Sequence, residues 1–235
     1  MTALKKTAAV IAAVLLLFAL LVVALNGIFN RTGWLFKEYL CDLDNSVKEE
    51  YGISAEDASR VLGRMMHYSI GRADDLDVTI IENGREVRFF NERELSHMRD
   101  VRRLAVTVMF MGLAALILAV LAIVLLAAFG QRDALRTFAK AYLIALGVLL
   151  AVVIALGIWI AIDFDSFWTM FHVVFLDLES STFDPATSRM IRICPPELFS
   201  DFIARFAADA GLLAGAAAIV CGLYLGFSGK GKKRG

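Results

Sequence analysis

Proline is scarce in this chain, three in 235 residues, and cysteine and histidine are equally rare at three each. So few cysteines exclude a disulfide-built scaffold, and no Cys-x-x-Cys pair or zinc spacing is present. The 24 basic and 24 acidic residues leave no net charge. That balance lacks the basic footprint of a nucleic-acid binder. No HExxH, phosphate-binding loop or Gly-x-Ser-x-Gly elbow occurs. Asp74, Asp75 and Asp77 lack the glycine and distal glutamate of a calcium loop and read as a solvated turn. What the chain has in excess is apolar: 59% of residues, against roughly 45–50% in an ordinary soluble domain, with 17 Phe and a mean hydropathy of +0.67.

Charge is missing altogether from four windows: Thr7–Asn30 (24 residues), Leu104–Gln131 (28), Ala141–Ile162 (22) and Ala210–Gly229 (20). About 20 mostly apolar residues cross a bilayer core as a helix, and an uninterrupted run satisfies its backbone in lipid only as a helix. The expected fold is mostly α: a polytopic membrane protein with four transmembrane helices. The first window, although Lys5 and Lys6 precede it, is longer than the apolar part of a secretory signal and lacks a good cleavage site. An uncleaved anchor is expected there. No acidic residue lies inside any window, which argues against a proton-coupled transporter.

Charge also sets orientation. Residues 1–6, 132–140 and 230–235 hold nine basic residues and one acid, whereas 31–103 and 163–209 hold 15 basic and 23 acidic. The positive-inside rule places both termini in the cytoplasm and the two long segments outside. The expected domains are 1–30 (cytoplasmic N-terminus and first span), 31–100 (cap, first part), 101–131 (second span), 132–140 (cytoplasmic loop), 141–162 (third span), 163–207 (cap, second part) and 208–235 (fourth span and basic tail). Segments this long exceed simple connectors. Together they make an extracytoplasmic α+β cap where function is expected.

Within the cap, Trp34–Leu40 has an apolar-aromatic helical face suited to an interface. Ser54 and Asp57 read as an N-cap with an acidic first turn, opening a helix that Gly71 ends. Asp77–Phe90 is a β-hairpin signal, with two β-rich runs flanking Asn83-Gly84. Asn91 with Glu94 three residues on resembles a capping box, and the helix it starts runs unbroken into the second span. His97 then lies roughly 10 Å above Leu104 at about 1.5 Å per residue. The second outside segment opens with Phe164, Phe167, Trp168, Phe171 and Phe175 in a helical stripe around His172. Phe183–Arg189 reads as a turn, and Ile193–Phe199 as a proline-started helix leading to the last span. The cysteines read either as a Cys41–Cys194 bridge plus Cys221 in a span, or, more commonly for such residues, as three small buried apolar groups.

All three histidines, His67, His97 and His172, fall outside the spans. Imidazole is the side chain best suited to acid–base work near neutral pH, and His97 and His172 sit on segments entering and leaving the membrane. The plain alternative for each is an interfacial histidine without chemistry. The aromatic stripe has its own alternative as a bilayer anchor.

The segments Asn91–Val101 and Phe171–Phe199, with the four-span layout and the hairpin before the first histidine, resemble the lipoprotein intramolecular transacylase family of Gram-positive bacteria. The resemblance spans the whole layout. It implies a cell-membrane acyltransferase that moves the sn-2 acyl chain of a diacylglyceryl lipoprotein to the α-amino group of its N-terminal cysteine. The lyso-form lipoprotein is the product, and catalysis falls to His97 and His172. The partners implied are that lipoprotein and membrane lipids, with no nucleic acid, cofactor or metal. The chain departs from the family pattern at Leu176, where a second phenylalanine stands, at Ser181, near a tryptophan, and at Ser188, near an acidic residue. Helix spacing offers Glu94 or Asp100 as groups orienting His97. Tyr68, Trp168, Phe171, Phe175 and Asp184 are weaker pocket candidates. Two other readings remain open at this point: a non-enzymatic four-span protein with a partner-binding or sensing cap, and a lipid hydrolase using the same histidine base.

Overall fold

The computed structural model describes residues 3–38, 51–129, 132–176, 183–184, 186–194 and 196–230. Cys41, the end of the Trp34–Leu40 stretch, Gln131, Ser181, Pro185, Pro195 and the tail beyond 230 lie outside the described residues. In chain order the elements are α1 (Ala3–Asn30), α2 (Gly33–Glu38), α3 (Ala55–Ser69), β1 (Thr79–Glu82), β2 (Arg85–Arg88), α4 (Glu92–Phe129), α5 (Arg132–Ile162), α6 (Phe164–Phe175), α7 (Arg189–Arg192) and α8 (Pro196–Lys230). The chain is mostly α, as expected. The first, third and fourth charge-free windows fall inside α1, α5 and α8 and the described part of the second, Leu104–Phe129, inside α4, each helix long and apolar enough to cross a membrane.

Two compact units divide the chain: 1–25, 109–164 and 207–235 in one, 26–108 and 165–206 in the other. The first is a helical bundle closed by small residues. Ala9, Ala12 and Ala13 of α1 are buried with Ala134, Phe138 and Tyr142 of α5 and Ala214 and Cys221 of α8. The buried Tyr142 hydroxyl donates to the Ala214 carbonyl at 3.0 Å. Gly112 permits the closest approach, because a Cβ there would stand 2.3 Å from Val22 Cγ1. Outward, Phe110, Ile117, Ile144, Val148, Leu212 and Val220 are more than half exposed. Such a surface suits hydrocarbon, and helices in lipid associate through small residues.

The second unit is packed like a soluble domain. The apolar face of α3 (Ala58, Val61, Leu62, Met66) meets Val78 and Ile80 of the hairpin, Phe89 and Phe90 after it, Met98 of α4, and Met190 and Ile193 around α7. Ser54 caps α3 by accepting from the Asp57 amide at 3.1 Å. The strands pair antiparallel from Thr79↔Arg88 to Glu82↔Arg85. Asn83 (φ 52°) and Gly84 (φ 77°) both take the left-handed turn conformation that the Asn-Gly pair favours. A single bridge joins Ile53 to Glu82.

Candidate active site

The start of α4 is fixed by reciprocal capping. The Glu94 amide donates to Asn91 Oδ1 at 2.9 Å, and the Asn91 amide donates to Glu94 Oε2 at 2.8 Å. One turn on, the same helix presents His97. The start of α6 is aromatic, and His172 takes its place one turn after Trp168.

Both imidazoles are buried, His97 7% and His172 5% exposed. They lie nearly parallel, planes 24° apart and ring centroids 6.0 Å apart. Rings this close can address atoms of one bound group. Aromatic side chains wall the pair. Phe183 meets His97 edge-on at 5.3 Å, and Trp168 and Phe171 meet His172 at 4.6 and 5.6 Å. Phe199 packs on Trp168 at 4.5 Å and Phe175 on Phe171 at 5.2 Å.

The proton on His172 is assigned by its neighbour. Its Nδ1 lies 2.8 Å from the Trp168 carbonyl oxygen. A carbonyl only accepts, so Nδ1 is the donor, and in the neutral ring Nε2 keeps its lone pair. His97 stands seven residues before the apolar run begins at Leu104. Burial first, and then the neighbouring His172, push its imidazole down to about 4, against a smaller upward pull from Asp100. His97 is therefore uncharged at neutral pH.

The carboxylate of Glu94, 1% exposed, is held by three donors: the Asn91 amide, the Ser188 hydroxyl at 2.5 Å and the Met190 amide at 3.0 Å. It clamps the segment around α7 to the start of α4. Asp100 reaches His97 through its charge and lies 3.9 Å from Arg103. Tyr68 packs in the core beneath the Arg102 guanidinium, 4.6 Å away. Asp184 closes a turn, accepting at its side chain from the Ala186 amide and at its carbonyl from Thr187 and Ser188. The structure thus gathers Trp168 and Phe171 around His172, leaves Phe175 half-exposed behind Phe171, and puts Tyr68 and Asp184 to structural use. Sequence reasoning missed Phe183, Phe199 and the Ser188–Glu94 bond; Phe183 was legible only as the start of a turn. Cys194 is a free thiol, pushed up to about 12 by burial and the Glu94 charge, which leaves it inert as a nucleophile.

Fold and site together define a multi-pass membrane protein carrying a buried, aromatic-walled histidine pair. The sequence profile of the family described as "Lipoprotein intramolecular transacylase Lit" matches residues 10–199. The chain belongs to the lipoprotein intramolecular transacylase family. It is accordingly an acyltransferase acting on lipoproteins, and the non-enzymatic reading falls away. Among solved structures, the membrane integral transacylase Lit from Bacillus cereus matches at a TM-score of 0.72 and 16% identity, over 99% of each chain. Variants of it with one histidine changed to arginine or alanine match at 0.69 and 16% identity, over 99% of this chain and 95% or 96% of theirs. At that identity the likeness is one of fold. No curated protein matches.

Proposed function

We propose that the reaction is transfer of the sn-2 acyl chain of a diacylglyceryl lipoprotein to its own N-terminal amine, with His172 as proton carrier and His97 as a neutral hydrogen-bond donor. The paired, buried imidazoles support this reading most directly. Attack of the cysteine nitrogen on the ester closes a medium ring through N, Cα, Cβ, S, the glyceryl CH2 and CH, O and the carbonyl carbon. A floppy lipid head rarely visits such a ring, so holding the amine against the ester is a main contribution.

The amine, with a reference pKa of about 7.7–8.0, attacks as the neutral –NH2, its ammonium proton having gone to water beforehand. From that –NH2, His172 Nε2 takes one N–H proton as the C–N bond forms, its Nδ1–H staying on the Trp168 carbonyl. The same ring then returns the proton to the glyceryl oxygen as the C–O bond breaks, so no proton is gained or lost overall. His97, kept neutral, donates to the oxyanion of the tetrahedral intermediate. Trp168, Phe171 and Phe183 exclude water, which favours transfer over hydrolysis.

In this reading the second unit is the extracytoplasmic cap, both termini are cytoplasmic, and the substrate enters from the outer leaflet. The test is a synthetic diacylglyceryl lipopeptide with a free N-terminal cysteine, its product fragmented by tandem mass spectrometry, since the intact mass does not change. The acyl group is expected on the cysteine nitrogen. Loss of the oxyanion donor in His97→Ala is expected to cost about 10²–10³ in kcat, with part restored in His97→Gln. His172→Ala is expected to cost about 10²–10⁴. Free fatty acid as the product would mark a hydrolase, and full activity in both alanine variants would overturn the assigned roles.

A further inference from the structure

Lys6 of α1 and Asp133, Arg136, Thr137 and Lys140 of α5 line a cavity of about 270 Å³ in the helical bundle. It is distinct from the histidine pair, and the acyl transfer makes no use of it. The volume lies just below the range of whole small-molecule sites, about 300–1,000 Å³, and suits a headgroup.

Among the described residues, nothing neutralises the cations around it. Neighbouring Lys5 is committed elsewhere, its Nζ donating to the Phe129 carbonyl at the end of α4. Arg136 gives one guanidinium donor to the Ser228 carbonyl near the end of α8 at 3.1 Å. Its remaining donors, Lys6 and Lys140 have no ion-pair partner among the described residues, and the Asp133 carboxylate pairs with none of them. Three cations against one acid face the same space.

Apolar surface continues from both lysines. On α1, Val10 and Val14 follow Lys6 at four-residue steps and are 45% and 51% exposed. On α5, Ile144 and Val148 follow Lys140 at the same steps and are 68% and 61% exposed. Steps of four keep residues on one helix face. An anion held by the lysines would have hydrocarbon-bearing helix faces leading away from it.

We propose that this cavity binds the phosphate of an anionic glycerophospholipid, whose acyl chains lie along Val10, Val14, Ile144 and Val148. Basic pockets between spanning helices hold lipid headgroups in this way. A soluble phosphate shares the headgroup's charge but has no use for the apolar faces.

The test uses the full chain in nanodiscs of phosphatidylcholine with a minor fraction of phosphatidylglycerol, with retained lipid read by native mass spectrometry. The wild type is expected to keep phosphatidylglycerol selectively. The doubly substituted K6Q/K140Q, altered at two exposed side chains, is expected to bind it roughly 5- to 30-fold more weakly. D133N, which removes the opposing acid, is expected to bind it more tightly. Equal retention by the wild type and K6Q/K140Q would overturn the proposal. So would glycerol 1-phosphate binding as tightly as the lipid, which would make this a soluble-anion site. The readout is lipid rather than acyl transfer, so it stands apart from the roles given to the histidines.

Discussion

At the scale of single residues, two like side chains are made unlike. His172 has its proton placed by a backbone carbonyl, and His97 is held neutral by burial. The second fact has a cost in acid. Above about pH 6.5 His97 is neutral in both folded and unfolded chain. As pH falls toward about 4 the unfolded chain takes up the proton first, so the contribution of His97 to stability is full above the first value and is lost on the way to the second. Thermal unfolding in detergent is expected to show the wild type losing about 2–3 kcal/mol more than His97→Gln across this window; parallel curves would refute it. The two histidines stand out in sequence because so few exist and both adjoin apolar runs, while their choice as a pair rested on the family resemblance. Phe183 and Ser188 were not, since their partners lie far along the chain and no local pattern announces them. Ser188 and Glu94 are 94 residues apart.

At the scale of elements, buried or half-buried carboxylates join pieces that carry little local preference of their own. α7 is one turn long, too short to persist by itself. Glu94 holds it from the start of α4, and Glu82 at the end of β1 holds Arg189 at 2.8 Å and Arg192 at 3.5 Å. Ser188→Ala removes one of three donors to Glu94 and the cap of α7 together. A loss of about 1–3 kcal/mol is expected by thermal shift. A change within error would show the clamp to be dispensable. The local halves of these elements could be read beforehand: Asn83-Gly84 turns the hairpin, Ser54 caps α3, and Asn91 with Glu94 caps α4. The pairing of Glu82 with Arg189, 107 residues away, leaves no periodic signal. Sequence reasoning therefore found the elements and not the fastenings between them.

At the scale of the whole molecule, the two units follow opposite packing rules. The bundle buries alanines and exposes isoleucine, valine and phenylalanine, whereas the other unit buries its large apolar groups and exposes charge. The four spans were the most legible feature of the sequence, because windows without charge need no partner to be recognised; the inverted packing within them was not read there. The proposed orientation has a direct check. In a background with the natural cysteines replaced, Asp74→Cys is expected to react with a membrane-impermeant thiol reagent in intact cells, and Lys140→Cys only after lysis. The reverse pattern would invert the topology.

The bond from His172 to the Trp168 carbonyl also bears on how the site can change over evolutionary time. In hydrolytic triads the group that steers the imidazole is a side-chain carboxylate, open to loss by one codon change. Here the steering group belongs to the main chain, and every residue at position 168 supplies it as long as the helix persists. Drift can recontour the aromatic wall without unsetting the tautomer. The aromatic wall and the group that sets the proton are thereby heritable separately, although one residue provides both.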